Sequence, residues 1–294
     1  MRRVSALISV LLLLAGCGAQ EPAPAAPQAE TPPAVSRAED PPAAYPAELL
    51  PREGLEPPDW TLADFPGLFE GGGPVQREER LLLEGTELEN TVTVLRGEEE
   101  GPAVYVVAGV HGDETAGWMA GGLLKQAALR AGTLYILSPA NPYGAEHDRR
   151  NTKSDRDLNR NFPGDPEGWD AERIAAALFA HIEESTPVLV LDLHEARVHQ
   201  GERDNLGNSV ICQSLDGVGE LVLDILLESE AGGLCAAPIT LYGSPPPGSL
   251  NRTVTLELGV PVITVETSRA EPLAQRVRTQ LELAEFVLEN CGLL

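Results

Sequence analysis

Two short and almost entirely apolar segments, each leading to a histidine, constrain the fold of this chain most strongly. The first is 103–108 (AVYVVA), which leads to His111, and the second is 188–193 (VLVLDL), which ends at His194. Runs of this length and polarity are typical of strands that are buried on both faces of a parallel sheet. The chain therefore needs helices on both sides of that sheet.

Segments with helical character separate these strands from further strand candidates. We expect helices at 115–130, 170–184, 217–230 and 271–290, and additional strands at 81–83, 91–95, 134–137, 209–212 and 262–265. Strands that alternate with helices favour an α/β fold. The prediction is a single domain with a mostly parallel mixed β-sheet flanked by helices.

The start of the chain has the pattern of a cleaved signal peptide. Two arginines precede an apolar run that is shorter than the roughly 20 residues needed to cross a bilayer as a helix. The run ends in Leu14-Ala15-Gly16-Cys17, which resembles the bacterial lipobox. Residues 1–17 are therefore predicted to be a lipoprotein signal peptide. A lipid on Cys17 would be the only membrane contact of an extracytoplasmic protein.

Residues 18–58 are rich in Ala, Pro and Glu and contain few large apolar side chains. Such a segment cannot bury enough surface to offset its conformational entropy, so we expect a disordered tether. The folded domain is then 59–294. Its first part, 59–79, is compatible either with an ordered lead-in or with more linker.

The net charge argues against one class of partner, and the cysteines bear on disulfide formation. The formal net charge of −24 argues against nucleic acid as a partner, because that partner requires a basic surface. Cys212, Cys235 and Cys291 follow Cys17. An extracytoplasmic location permits a disulfide, but one thiol would be left over.

The two strand-ending histidines point to a metal site. Ligands of open α/β sheets bind beyond the carboxyl ends of the strands, and His111, Glu114 and His194 would meet there. Two imidazoles, one carboxylate and an open position for water form a catalytic zinc set. The other histidines, His147, His181 and His199, are interpreted as structural or surface residues.

Between the two histidine motifs lies 149–164 (RRNTKSDRDLNRNFPG), which contains Arg149, Asn159 and Arg160. The planar donors of arginine match a carboxylate, and a neighbouring asparagine adds a neutral donor. The segment is therefore interpreted as a carboxylate clamp. Taken alone, the segment favours a solvated basic loop, and the motifs before and after it shift the interpretation to the clamp.

The order of motifs resembles the zinc carboxypeptidase superfamily. These motifs are HGDETAG, GTLYILSPANP, R-x-N, DLNRNFPG, DLHEA and ITVETS, and they run from about residue 100 to 290. Within the superfamily, the chain is most similar to the small bacterial carboxypeptidases and to the succinylglutamate desuccinylase/aspartoacylase branch. The resemblance implies that His111, Glu114 and His194 hold one Zn²⁺ ion. Asp157 and Asp192 are then candidates for orienting the two histidines.

The same resemblance implies roles for the remaining motif positions. Asn159 and Arg160 would bind the free carboxylate of the substrate, Arg149 would polarise the scissile carbonyl, and Glu266 would be the general base and acid. Glu195 is a rival base, but alternation along the strand points it away from His194.

The segment before Glu266 departs from the larger carboxypeptidases. They carry a mobile tyrosine there, whereas 250–265 contains none, and Tyr242 is the alternative on the other side. The resemblance therefore does not predict which side chain the substrate carries beside its carboxylate.

The first hypothesis is a metallocarboxypeptidase-like zinc hydrolase that cleaves a peptide bond next to a free carboxylate. The alternative is a succinylglutamate desuccinylase/aspartoacylase-type deacylase of N-acyl amino acids, which needs the same zinc and arginine chemistry. A third hypothesis, from another class, is a lipoprotein that binds peptides without catalysis.

Overall fold

The computed structural model describes residues 58–196 and 206–294, all within the compact unit 41–294. The predicted signal peptide with Cys17, nearly all of the predicted tether, and His199 lie outside the described residues.

The described residues form eight strands and six α-helices. The strands are β1 (Gln76–Leu82), β2 (Asn90–Arg96), β3 (Glu99–Ala108), β4 (Ala131–Leu137), β5 (Leu189–Ala196), β6 (Ser209–Cys212), β7 (Thr240–Gly243) and β8 (Val262–Ser268). The helices are α1 (Thr115–Leu124), α2 (Pro142–His147), α3 (Asp170–Ser185), α4 (Gly219–Glu230), α5 (Leu250–Leu258) and α6 (Leu273–Asn290). Short 3-10 turns occur at Leu62–Asp64 and Leu158–Arg160.

All eight strands belong to one mixed sheet with the order β1-β2-β4-β3-β5-β8-β6-β7. Strands β4, β3, β5 and β8 at its centre are parallel to one another. The pairs β1–β2, β2–β4 and β6–β8 are antiparallel, and the edge strand β7 is parallel to β6. The predicted α/β fold with a mixed sheet flanked by helices is confirmed.

The central strands are buried on both faces, as their apolar sequences predict. In β3, Val104 and Val106 pack into the core on the side of α1, α4 and α6. Tyr105 and Val107 point the other way, into the core that includes α3 and α5. The alternation of successive side chains across a strand therefore supplies two cores from one apolar run.

The lead-in at 59–79 is ordered. Phe65 and Phe69 are buried against the first core, and the ring of Trp60 meets Phe65 edge to face with 5.5 Å between the centroids. The backbone amide of Phe69 donates to the carboxylate of Glu285 on α6. These contacts join the segment to the domain and decide between the two alternatives.

Helix α1 is shorter than predicted. It ends at Leu124, and the amides of Lys125 and Gln126 bond three residues back instead of four. The ammonium of Lys125 donates to the carbonyl of Ser138 over 2.7 Å. This tight exit lets β4 begin at Ala131, where the end of the helix was expected.

Three short elements were not predicted from the sequence: α2, β7 and α5. Helix α5 contains Thr253, Val254 and Thr255, which are β-branched and poor helix formers. Its start is fixed by Ser249, whose hydroxyl accepts from the amide of Arg252. Capping by Ser249 and burial of the helix therefore outweigh the low helix propensity of its β-branched residues.

Cys212, Cys235 and Cys291 are free thiols, and burial raises the pKa of both Cys212 and Cys235 to about 12. Within 58–196 and 206–294, no helix combines the length and apolarity needed to cross a membrane.

Candidate active site

The site lies where three parallel central strands end. His111 and Glu114 follow β3, while His194 lies in β5 and Glu266 in β8. His194 and Glu266 are direct partners in the register of β5 with β8. Residues that are far apart in the sequence are thus brought to the carboxyl edge of the sheet.

A close backbone contact shapes the loop after β3. A side chain at Gly112 would place its Cβ only 1.9 Å from the carbonyl carbon of Gly144 in α2. The indole of Trp118 also donates to the carbonyl of Gly112 over 3.0 Å. The loop therefore needs glycine there. It delivers Glu114 to the N-cap of α1, beside His111.

Three side chains form a cluster of potential metal ligands. Nδ1 of His111 lies 2.8 Å from Oε1 of Glu114, and Nδ1 of His194 lies 2.7 Å from Oε2 of the same carboxylate. One ligand atom from each residue lies within 4.8 Å of the others. All three are at most 3% exposed. The predicted trio is therefore brought together.

The outer nitrogens of the two histidines face other carboxylates. Nε2 of His111 lies 3.0 Å from Oδ1 of Asp157, and Nε2 of His194 lies 3.0 Å from Oδ1 of Asp192. A carboxylate behind a ligating histidine is common in metal sites, where it fixes the ring and its tautomer. With both Nδ1 atoms turned inward beside a carboxylate, this donor set fits a catalytic zinc ion.

Burial and the neighbouring charges shift the pKa values of Glu114 and His194 in opposite directions. Burial opposes ionisation of Glu114, but the charges of His111 and His194 outweigh it and hold its pKa well below the usual value. Burial also disfavours the cationic form of His194, yet Asp192 and Glu114 raise its pKa well above normal. The cluster therefore holds a negative ligand in place.

Glu266 behaves differently from Glu114. Desolvation is the dominant influence and raises the pKa of Glu266 to about 8, with the neighbouring charges of Glu114 and Asp192 adding to it. A carboxyl group with a pKa in this range can exchange a proton at neutral pH. Glu266 is 9% exposed, so it remains accessible from the cavity.

A cavity of about 250 Å³ opens over the cluster. Its walls include all three potential ligands and Glu266, together with Asn159 and Arg160. Six of the seven predicted site residues therefore share one cavity.

Arg149 is the seventh, and the structure places it elsewhere. Its side chain is exposed and does not line the cavity. The neighbouring Arg150 lines the cavity instead and donates to Glu114 over 3.3 Å and to Asp157 over 3.1 Å. Two adjacent arginines look alike in a sequence, and only the path of the loop decides which one faces the site.

Asn159 has a defined orientation. Its Oδ1 accepts a hydrogen bond of 2.9 Å from the backbone amide of Leu250, at the start of α5. Because that amide can only donate, the amide nitrogen of Asn159 is left as a donor for the cavity. Arg160 is exposed, and its guanidinium donates to the carbonyl of Asn159 over 2.7 Å.

Glu195 is excluded as a base by its contacts. Its carboxylate accepts from the amide of Ala116 over 2.9 Å and pairs with Arg276 from α6. Glu195 is among the residues that line the cavity, but its carboxylate is engaged by these two partners from α1 and α6. Tyr242 lies on the edge strand β7 and is not among the residues that line the cavity.

Sequence reasoning missed several cavity residues. Arg150 was passed over for its neighbour. Asn251 belongs to a helix that was not predicted, and Ser249 caps that helix. Thr264 was part of the predicted strand, and its position two residues before Glu266 was a usable signal, because alternate residues of a strand share a face.

Comparison with known proteins adds a family match over most of the domain. Residues 100–289 match the family described as the succinylglutamate desuccinylase/aspartoacylase catalytic domain. Among curated proteins, the N-alpha-acetyl-L-2,4-diaminobutyric acid deacetylase of Halomonas elongata is 38% identical over 109 residues. That alignment covers 35% of this chain and only 31% of the deacetylase, so most of the relative has no counterpart in the match.

Solved structures show the same fold. A succinylglutamate desuccinylase/aspartoacylase from Rhodobacter sphaeroides superposes with a TM-score of 0.57 at 22% identity, covering 77% of this chain and 67% of the other. A metallo-carboxypeptidase from Burkholderia cenocepacia gives a TM-score of 0.55 at 14% identity, with the same two coverages of 77% and 67%. At these identities, the likeness concerns the fold alone.

Proposed function

Because this chain belongs to the succinylglutamate desuccinylase/aspartoacylase family, we propose that it is a zinc-dependent hydrolase of N-acyl amino acids. The observation that carries the proposal is the meeting of a His111–Glu114–His194 cluster, a protonatable Glu266 and the donors of Asn159 and Arg160 in one cavity. A zinc ion held by the cluster would act as a Lewis acid and make water easier to deprotonate.

Glu266 is assigned the proton transfers. Its carboxylate takes a proton from the attacking water, and the resulting acid returns that proton to the nitrogen of the leaving amine. Burial raises the pKa of Glu266, which makes its carboxylate a stronger base toward that water. The position of Glu266 directly across from His194 supports this role.

The cationic and amide donors are assigned to the substrate. Asn159 and Arg160 bind the free carboxylate, because a neutral amide donor and a guanidinium together match its two oxygens. Arg150 replaces Arg149 as the group that stabilises charge on the scissile carbonyl oxygen. Its contact with Glu114 places the guanidinium at the edge of the ligand cluster.

The choice of substrate follows the relatives. The motifs alone put peptides first and N-acyl amino acids second, whereas the family match and the deacetylase relative favour the second class. A cavity of about 250 Å³ suits a small amino-acid derivative. Anchoring outside the cytoplasm through Cys17 remains a separate proposal that rests on the Leu-Ala-Gly-Cys pattern.

The test combines metal analysis with a paired substrate screen on the full chain and its His111→Ala variant. We expect one zinc per wild-type chain, loss of zinc from the variant, and release of acetate or succinate from N-acyl amino acids. Release of C-terminal amino acids from N-blocked peptides instead would move the function to the carboxypeptidase alternative. Zinc binding without turnover of either class would leave the non-catalytic binding protein.

A further inference from the structure

A line of four buried side chains runs from α5 across the sheet to the ligand cluster. Nδ2 of Asn251 donates to Oγ1 of Thr264 over 2.9 Å, and Oγ1 of Thr264 lies 3.1 Å from Oδ2 of Asp192. The other oxygen of Asp192 lies 3.0 Å from Nε2 of His194. Each of the four residues is at most 5% exposed.

The hydrogen positions along this line follow from the partners. Oδ1 of Asn251 accepts from the amide of Gln213 over 3.2 Å, and its Nδ2 also donates to the carbonyl of Ile211 over 2.8 Å. The amide of Asn251 is therefore fixed in orientation, with Nδ2 as the donor to Thr264. The single hydroxyl proton of Thr264 then has to point at the carboxylate of Asp192.

This arrangement fixes the carboxylate behind His194. With Oδ2 held by Thr264, Oδ1 of Asp192 lies 3.0 Å from Nε2 of His194 as a close ion pair that is not aligned as a hydrogen bond. Within residues 58–196 and 206–294, neither atom has a hydrogen-bond partner. A proton held on Nε2 leaves Nδ1, the atom beside Glu114, as the nitrogen that can bind a metal.

The two histidines are supported in different ways. Behind His111, the carboxylate of Asp157 is held by the cation Arg150, and that carboxylate is 24% exposed. Behind His194, the carboxylate of Asp192 is fully buried, and its Oδ2 accepts from the neutral hydroxyl of Thr264. A buried carboxylate without its neutral donor would be costly, so the position of Asp192 depends on Thr264.

We propose that Thr264 and Asn251 are positioning residues that set the orientation of Asp192 and thereby commit Nδ1 of His194 to the metal. The inference rests on the proposed function only in naming zinc as the bound metal. It assigns a role to Asn251 in α5 and to Thr264 in β8, whose line of hydrogen bonds leads to Asp192.

The first experiment measures zinc affinity by competition with a chromophoric chelator, using the full chain. Thr264→Val keeps the shape but removes the hydroxyl, and we expect about tenfold weaker zinc binding, at the low end for residues behind metal ligands. Thr264→Ser restores the hydroxyl and should recover most of the affinity. Thr93→Val is the matched control, because Thr93 is a buried strand threonine of β2, remote from the site.

The second experiment needs no metal. In ¹⁵N-labelled, metal-free protein, the Nε2–H proton of His194 should exchange slowly with water in the wild type and faster in Thr264→Val. Asn251→Asp provides a second route, because a carboxylate oxygen facing Thr264 would draw the hydroxyl proton away from Asp192. If Thr264→Val does not fold, Nε2–H exchange in Asn251→Asp tests the inference instead.

Unchanged zinc affinity together with unchanged Nε2–H exchange in a folded Thr264→Val protein would overturn the inference. A wild type that binds no zinc, but whose Nε2–H exchange still responds to Thr264→Val, would reject the proposed function and keep the positioning role.

Discussion

Glu266 and His194 face each other across the parallel pairing of β5 with β8, as direct partners in the register. Strand pairing holds such neighbours about 5 Å apart along the sheet, so the candidate base and one candidate metal ligand share a rigid support. A one-residue slip of this register would turn Glu266 to the opposite face and remove it from the cavity. The relative position of the two groups is therefore a property of the sheet.

Replacing Glu266 with Gln should abolish turnover while keeping zinc bound. The amide has nearly the same shape but cannot accept the proton of water, so we expect kcat to fall by about a thousandfold. Zinc content should stay at the wild-type level, because Glu266 is not one of the three clustered ligands. Glu257→Gln, an exposed change on α5, is the control for kinetics and metal analysis. Loss of zinc from Glu266→Gln would contradict the assignment.

The same substitution should alter the pH dependence of stability in metal-free protein. Burial raises the pKa of folded Glu266 to about 8, whereas the unfolded carboxyl group ionises near its ordinary value. The stabilisation from the bound proton is complete below the unfolded pKa and is lost as the pH rises through about 8.

Glu266→Gln never carries that charge. At about pH 9, the variant should therefore be more stable than the wild type by on the order of 3 kcal/mol, and the two should converge near pH 5. Urea unfolding in the presence of a chelator at several pH values measures this difference. Parallel pH curves for the two proteins would show that Glu266 ionises normally in the fold.

Arg149 and Arg150 are adjacent in the sequence, so the same substitution at each position can be compared directly. Arg150→Ala should lower kcat/KM by about a hundredfold, since it removes the donor that we propose stabilises charge on the scissile carbonyl oxygen. Arg149→Ala should stay within about threefold of the wild type, because exposed side chains away from a site have small effects. Steady-state kinetics of both variants decides between them, and the opposite ranking would restore Arg149 as the functional residue.

Asn159→Asp tests the proposed carboxylate clamp. The hydrogen bond from the amide of Leu250 survives, because the new carboxylate still accepts it. The donor to the substrate becomes a negative charge, so KM should rise by about a hundredfold or more, with a smaller change in kcat. Asn290→Asp makes the same charge change at the exposed end of α6 and should leave KM unaltered. A lower kcat at unchanged KM would place Asn159 in catalysis instead.

The parts of this protein that depend on local pattern could be predicted from the sequence. The apolar runs of β3 and β5 identified buried strands because a strand covered on both faces has no polar side. The position of His111, Glu114 and His194 after such strands was sufficient to propose a metal site, since parallel strands deliver their carboxyl ends to one edge.

Other features depended on contacts between distant segments. Helix α5 forms despite its β-branched residues because Ser249 caps it and its apolar face is buried. The choice of Arg150 over Arg149 depends on how the loop at 149–156 is anchored, and Asp170 at the start of α3 anchors it through Thr152 and Ser154.

The sequence by itself determined the alternation of strands and helices and the types of residue at the strand ends, because these follow from periodicity and from short-range chemistry. Only the tertiary structure decided which arginine faces the cavity and that Asn251 and Thr264 stand behind Asp192. The physical reason is that hydrogen bonds between α5, β8 and β5 depend on register and packing, which residues far apart in the chain set together.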